Sequence, residues 1–370
     1  MIEELPKSNY MYLWQLFESK NDHMAIKAII DQSVGGKVWV DDIASPQTCC
    51  LWDQKNRLYL GGKADDGFRH SLSKLLTGEI AATAKKKDID TFIVYFPPKS
   101  KTWEDHLRKN KIFSDLRKYK RSYYKFKELE ILWKDKIPKD YSIRRIDKDL
   151  LENTTLRNRL AVIREIASMN PSIEEWLERG FGFSAIHDEA NAIVCWCTAE
   201  YILKSRLECD FGIETAEEYQ KQGFGTLTAA AAVDYGKSNG FQMGWDTWSD
   251  NEASQKLAEK VGFEKIADYS VYVGCFDPHL NALVNGYYAL RVKNNYREST
   301  EIYAQAFKLG ESDAFHYFTA ACAWTQLGKT ETALRYLAKA VDKGWTDIAH
   351  DDLVPLHQSP GWEKITDLLS

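Results

Sequence analysis

Gln220-Lys221-Gln222-Gly223-Phe224-Gly225 separates two stretches of opposite character. Arg206 to Thr215 before it reads as a strand, and the alanine-rich Thr226 to Tyr235 after it has high helix propensity. A strand-to-helix turn of this kind leaves several backbone N–H groups without intrahelical partners, and two glycines let a ligand approach the main chain closely. The stretch therefore reads as an anion cradle suited to a pyrophosphate; glycines serving only the turn are the structural alternative. Two other phosphate-binding patterns fail on spacing. A dinucleotide fingerprint needs a third small residue where Thr228 stands. A P-loop built on Gly236-Lys237-Ser238 would need its upstream glycine at Ala231 and would fall late in a helix instead of opening one.

Downstream, Phe241 to Trp248 reads as a strand. Ser249-Asp250-Asn251-Glu252 is a capping box that opens a helix through Val261, and Phe263 begins a strand pair running to Tyr272. The cradle has the form Gln/Arg-x-x-Gly-x-Gly/Ala, and Asn251-x-x-Ser254-x-x-Leu257-Ala258-x-x-x-Gly262-Phe263 follows it. Together, in this strand-helix order, they resemble the two motifs of the GNAT superfamily of N-acetyltransferases. The resemblance implies acetyl-CoA as acyl donor, with its pyrophosphate on the cradle. The implied cofactor-binding residues are Phe211, Gly212 and Ile213 on the central strand, then Gln220, Gln222, Gly223, Phe224, Gly225 and Thr226, with Asn251 and Ser254 beyond.

The 370 residues suggest two or three domains, and 44% hydrophobic residues suffice for substantial cores. A net charge of -5 gives no general attraction to nucleic acid or to an anionic membrane. Arg108 to Lys127 is rich in Lys and Arg with interleaved aromatics, and reads as a solvated helix and strand face in preference to a nucleic-acid stripe. Seven cysteines without framework spacing, with Cys195 and Cys197 inside an apolar strand, point to reduced thiols and to no metal site. Met1 to Pro6 lacks a basic and an apolar region, and no apolar run approaches about 18 residues, so a cytoplasmic protein is expected.

The expected fold class is α/β: tandem GNAT-like mixed-sheet domains followed by a small all-α tetratricopeptide-like domain. The catalytic module spans residues 141–276, with Leu150 to Met169 helical and strands at Phe181 to His187 and Ala192 to Tyr201. Residues 1–135 look like a worn copy. Strands at Lys37 to Val40, Thr48 to Asp53 and Arg57 to Gly61 precede a helix near Phe68 to Lys86, and Thr91 to Phe96 is a further strand. A helix after Thr102 and a strand pair ending at Phe126 complete it. Thr91 and Phe113 match Phe241 and Phe263 at an offset of 150 (241 − 91 and 263 − 113). At that offset Gln220, Gly223 and Gly225 become His70, Ser73 and Leu75, so this copy lacks the cradle. In residues 280–370, Ser299, Tyr303, Ala306 and Gly310 recur as Ala333, Leu337, Ala340 and Gly344 at a step of 34, the tetratricopeptide period. Two units fall short of the usual three, so they are expected to dock on the catalytic module, to self-associate or to bind a partner protein, with Asp351 to Trp362 as a cap.

Acyl transfer to an amine needs a deprotonated nucleophile and a polarised thioester. On the central strand Glu208, Asp210 and Gly212 share one face and Leu207, Cys209, Phe211 and Ile213 the other. The apolar set is the core side, so both carboxylates face a cleft where a cationic amine could sit. The family resemblance implies Glu208 as base, with Asp210 as the alternative, and backbone donors near Phe211 to Ile213 that stabilise the oxyanion. A tyrosine that many members use as acid is replaced here by Ala258, so either the CoA thiolate, with a pKa of about 8.5, leaves without an acid or Tyr269 or Tyr272 takes that role. Trp245, Asp246 and Trp248 lie on the next strand and are candidate cleft residues, as is the Lys204-Ser205 loop. The tandem plan and the Trp-Asp-x-Trp-x-x-Asn-x-x-Ser-x-x-Leu-Ala-x-x-x-Gly-Phe run also resemble the zwittermicin-resistance type over Lys37 to Phe276. A small-molecule amine is therefore the expected acceptor, with a protein-directed acetyltransferase or a CoA-sensing scaffold as the alternative. With one cradle per chain, calorimetric titration should give one acetyl-CoA per protomer. Two equivalent sites would contradict the reading of His70, Ser73 and Leu75.

Overall fold

The computed structural model describes residues 2–17, 23–63, 65–97, 100–109, 115–203 and 205–369. Phe113 of the repeat comparison and Lys204 of the candidate cleft loop lie outside these residues. The chain forms two compact units. The first comprises Met1–Leu72, Ile93–Trp103 and Lys118–Val271, and the second Ser73–Phe92, Glu104–Arg117 and Tyr272–Ser370.

Twelve strands follow in chain order. They are β1 (Glu3–Glu4), β2 (Lys37–Val40), β3 (Thr48–Trp52), β4 (Arg57–Gly62), β5 (Thr91–Tyr95) and β6 (Arg117–Phe126). Then come β7 (Tyr141–Arg145), β8 (Gly182–His187), β9 (Ala192–Glu200), β10 (Glu208–Thr215), β11 (Gln242–Trp248) and β12 (Phe263–Cys275). They form one sheet in the order β1-β2-β3-β4-β5-β12-β6-β11-β10-β9-β8-β7. The ladders of β4 with β5 and of β10 with β11 are parallel. β6 lies between β12 and β11, so each half of the sheet contains a strand from the other half of the sequence.

The core of the first unit gathers Trp176, Phe181, Cys209, Phe211, Trp245 and Phe263 under the helix Phe224–Ser238, which contributes Ala229, Ala230 and Val233. Small side chains on that helix let it lie close to the sheet, where Cys209 and Phe211 meet it from the apolar face of β10. All seven cysteines are buried and free.

The sequence expectations for the regular elements hold to within a residue or two at most places, with informative exceptions. The helix read across Leu150 to Met169 is two, Lys148–Glu152 and Arg159–Met169. Asn153 turns the chain out of the first by accepting the Thr155 N–H, and Asn158 enters the second in the left-handed conformation. The strand pair expected from Phe263 to Tyr272 is the single strand β12, kept extended by its place between β5 and β6. The basic stretch is divided: Lys118, Lys120 and Lys125 are exposed, whereas Arg117 and Arg121 point inward. No helix among the described residues is long and apolar enough to cross a membrane.

In the second unit, buried Arg117 donates to Asn281 and Asn285 of the helix Pro278–Arg291 at 3.0 and 3.2 Å. Helices follow at Tyr296–Leu309, Ala314–Gln326 and Thr330–Asp342. Ser299, Tyr303 and Ala306, and their counterparts Ala333, Leu337 and Ala340, are all completely buried. Leu353 and Leu356 of the tail pack into one helical core with Ala333, Leu337 and Ala340.

Gly262 shows how tightly the sheet constrains its turns. Its φ is +91°, and a Cβ there would overlap the carbonyl oxygen of Glu128. The Lys127 and Glu128 N–H groups both donate to the Gly262 carbonyl, which pins the two segments together. Gly262→Ala should therefore destabilise the protein by about 1–3 kcal/mol or more, read as a lower urea midpoint at unchanged m-value.

Candidate active site

The parallel ladder between β10 and β11 ends at Asp210 opposite Gly244. Beyond it β10 stays paired with β9 as far as Thr215, and β11 with β6 as far as Trp248. The two strands therefore part, and backbone groups from Phe211 to Ile213 border the opening on one side while Trp245 to Trp248 border it on the other.

The helix Phe224–Ser238 begins beside this opening. Its N-cap is Gly223, with φ +92°, a conformation glycine adopts without a Cβ penalty, and a Cβ there would meet only open space. The N–H groups of Thr226 and Leu227 turn back to the Gly223 carbonyl at 3.0 and 3.2 Å. Those of Lys221, Gln222, Gly223, Phe224 and Gly225 meet no protein acceptor among the described residues. The side chains of Gln220 and Gln222 fix the loop by donating to the Thr215 and Glu218 carbonyls, and Phe224 anchors it against Tyr141 at 4.5 Å between ring centres. A row of unpaired amides over an open glycine fits a pyrophosphate. Asn251 and Ser254 have other tasks in the structure. Asn251 caps the helix Glu252–Lys260 by accepting the Ser254 N–H, and the Ser254 hydroxyl accepts the Trp245 indole N–H at 3.0 Å.

Three positions on β10 face away from the core. Glu208 is held by Lys27 at 2.7 Å and by Arg206 at 3.6 Å, one on each oxygen. Asp210, at the parting of the strands, is buried, and its Oδ1 has no hydrogen-bond partner. Burial, reinforced by the neighbouring Asp246 charge, pushes its carboxyl up to about 8. Gly212 completes the row, and a Cβ there would run into the carboxyl groups of Glu200 and Glu165. Burial, then the Glu165 charge beside it, also raises Glu200. Gly244 has the same function opposite Asp210: a Cβ would overlap the Asp210 carboxylate and the Tyr123 hydroxyl.

Beside this row lies a cleft of about 440 Å³, part of it open to solvent. Phe17, Ile26, Leu60, Phe96 and Pro97 form its apolar wall, and His23, Tyr95, Tyr123, Asp246 and Tyr269 its polar one. Asp246 is bound from three sides. Arg121 donates from Nε at 2.5 Å, the Tyr269 hydroxyl donates to Oδ2, and His23 Nε2 lies 3.5 Å from the same oxygen. His23 Nδ1 accepts the Ala25 N–H, so the neutral ring carries its proton on Nε2, facing Asp246. Burial pulls His23 down to about 3, against the opposing pull of Asp246. Burial raises the Tyr269 hydroxyl well above its usual range. Tyr272 is on the opposite face of β12 by strand alternation, belongs to the second unit, and donates to Glu104 at 3.4 Å. Trp245 is a core residue, and Trp248 lies under the Arg121 guanidinium at 4.6 Å.

The structure thus brings Asp210 and Tyr269 to the same part of the fold as Asp246 and leaves Tyr272 apart. Sequence reasoning overlooked His23, Lys27, Tyr95, Arg121, Tyr123, Glu165 and Glu200. One signal was available: His23 precedes the apolar run Met24–Ile30, which is a helix capped by that histidine.

A mixed sheet whose parallel ladder opens beside a glycine-capped helix, with a carboxyl at the point of opening, is the framework of an acyl-transfer enzyme. The chain belongs to the GNAT acetyltransferase family, whose profile matches residues 14–272. It is 27% identical over 272 residues to YdfB of Bacillus subtilis (strain 168), described as an uncharacterized N-acetyltransferase, spanning 74% of this chain and 98% of that one. It is similar in fold to a GCN5-related N-acetyltransferase-like protein from Streptococcus suis 89/1591, with TM-score 0.53 and 20% identity over 72% of this chain and 98% of that one. The protein is an N-acetyltransferase, and the family generally uses acetyl-CoA.

The raised Asp210 carboxyl has a consequence for stability. Below about pH 4 it is protonated whether the chain is folded or not. As pH rises from there to about 8, the unfolded chain releases the proton and the folded chain retains it, so this group's contribution to stability is lost with rising pH. Asp210→Asn removes that dependence. Its thermal midpoint should gain on the parent's between pH 5 and pH 8; a constant difference would mean that Asp210 is ionised in the folded protein throughout.

Proposed function

We propose that the protein transfers acetyl from acetyl-CoA to a primary amine of a small molecule, with Asp210 as the general base. The observation that carries this reading is the unpartnered Oδ1 of Asp210 at the point where β10 and β11 separate. A carboxyl near 8 is matched to proton abstraction at neutral pH, and a cationic amine arriving beside it favours the ionised form. Glu208 is less suited because Lys27 and Arg206 occupy both of its oxygens, and it fixes Lys27. Tyr269 and His23 orient Asp246, and Arg121 balances its charge.

Acetyl-CoA, when bound, supplies the activated acetyl group. The residues that would hold it are Gln222 to Thr226 at the helix N-terminus and the main chain of Phe211 to Ile213, with Gln220 bracing the loop. Asn251 and Ser254 support the site from behind through Trp245.

We further read residues 1–135 and 141–276 as two GNAT-like modules of the zwittermicin-resistance type, and 280–370 as a tetratricopeptide-like helical domain. The order of the sheet supports the first part: β4 with β5 mirrors β10 with β11, each the parallel ladder of its half. The complete burial of Ser299, Tyr303 and Ala306 and of Ala333, Leu337 and Ala340 supports the second. An amine-bearing antibiotic or metabolite in the cytoplasm fits this reading.

The decisive measurement compares Asp210→Asn with Glu208→Gln in release of free CoA thiol, alongside calorimetric acetyl-CoA binding. Asp210→Asn should bind acetyl-CoA as the parent does and lose about 100- to 10,000-fold in turnover at neutral pH, partly restored at high pH. Glu208→Gln should lose less. Parent-like turnover in Asp210→Asn would sink the assignment of the base. Gly223→Val should abolish acetyl-CoA binding in a folded protein, and unchanged affinity would sink the donor.

A further inference from the structure

The acceptor cleft has an uneven supply of partners, and this restricts what can enter it. Its charged group, Asp246, is already neutralised by Arg121 and bound by Tyr269 and His23. Neither nitrogen of His23 is left over, since Nδ1 accepts from Ala25 and Nε2 faces Asp246. Among the described residues that line the cleft, the hydroxyl of Tyr95 is buried without a hydrogen-bond partner, and Asp210 Oδ1 beside the cleft is another such atom.

Tyr95 is 4% exposed, and its ring is packed against His23 at 4.9 Å and Tyr59 at 4.8 Å between centres. It cannot swing to water, so its hydroxyl is a buried polar group awaiting a hydrogen bond, a state that costs stability in the free protein. Apart from Tyr123, whose hydroxyl lies on the Asp210 side, the remaining wall of Phe17, Ile26, Leu60, Phe96 and Pro97 is apolar. A second ammonium in this cleft would lose its hydration and find Asp246 already paired. A polyhydroxylated amine would bury more hydroxyl groups than the cleft has partners for.

Resting on the acetyl-transfer reading above, we propose that the acceptor is a monocationic primary amine on an apolar, aromatic-sized body bearing one neutral polar group, and that the Tyr95 hydroxyl is the specificity-determining contact for that group. The ammonium lies toward Asp210, the body lies against the apolar wall, and Tyr95 reads the far end. A site built to hydrogen-bond a substrate group discriminates against the analogue lacking it, because its own polar atom is then left unpaired.

The test uses the full chain with acetyl-CoA and four acceptors: tyramine, 2-phenylethylamine, spermidine and the aminoglycoside kanamycin. Free CoA thiol is followed, and acetyl-CoA binding is measured separately by calorimetry. The two aralkylamines should have higher kcat/KM than spermidine and kanamycin, and tyramine should exceed 2-phenylethylamine. Tyr95→Phe should lower kcat/KM for tyramine by about tenfold and remove its advantage over 2-phenylethylamine. Its thermal midpoint should be no lower than the parent's, because an unpaired buried hydroxyl has been deleted; a purely structural Tyr95 would instead give a lower midpoint and an equal loss for both amines. Faster acetylation of spermidine or kanamycin, an equal loss for both aralkylamines, or acetyl-CoA binding with none of the four acetylated would overturn the inference while leaving acetyl transfer intact. Absence of acetyl-CoA binding would overturn the acetyl-transfer reading itself.

Discussion

Strand β10 is paired with β11 only as far as Asp210 and Gly244, and beyond that point each strand keeps only its other neighbour, β9 or β6. The end of that parallel ladder opens the sheet. Everything chemical in the molecule is arranged around the opening: the glycine-capped helix, the row Glu208, Asp210 and Gly212, and the cleft around Asp246. A sheet interior normally leaves no room for a ligand, since unpaired strand edges there are costly. Here the antiparallel ladders to β9 and β6 satisfy one edge of each strand, and the unpaired edges face the place where a substrate can reach them.

The same opening governs the electrostatics. Glu165, Glu200, Glu208, Asp210 and Asp246 crowd one region. Glu208 is paired with Lys27 and Arg206 and Asp246 with Arg121, while Glu200 is raised by burial and by Glu165 against the opposing field of Arg57. Asp210 has no cation in contact, although Lys27 and Arg121 act on it from a distance. Burial therefore dominates at Asp210, as it does at Glu200, and holds the proton on, whereas Glu208 and Asp246 are each paired with a cation. The difference between Glu208 and Asp210, two residues apart on one strand face, lies in which of them the helix Met24–Ile30 reaches. Lys27 on that helix reaches Glu208.

That distinction was not legible in the sequence. The cradle could be read because its glycines and its alanine-rich helix are local signals, and the face of β10 could be read because strand alternation is local too. Choosing between Glu208 and Asp210 required knowing that Lys27, 181 residues away, ends beside one of them. Nothing local predicts that contact. The same holds for Arg121 and Asp246, which meet because β6 enters the sheet between β12 and β11. By contrast, Tyr269 and Tyr272 could have been told apart beforehand: residues three apart on a strand face opposite ways, and a strand pair was assumed where one continuous strand exists. Asn251 and Ser254 were assigned to the cofactor from the family pattern, while the capping box that contains Asn251 already stated that residue's local task.

Glycine is the residue that makes this carboxylate cluster fit. Gly212 on β10 and Gly244 on β11 sit in extended strands, where glycine weakens the strand and has no conformational advantage. Both lack a side chain because a carboxyl group occupies the space: Glu200 and Glu165 over Gly212, and Asp210 over Gly244. An alanine at position 244 would displace Asp210 or the Tyr123 hydroxyl from the one spot where the strands begin to part. Isolated glycines within strands that also carry inward-facing acids are therefore the sequence trace of close-packed carboxyl groups, and such packing holds a carboxyl away from water until a cationic substrate arrives.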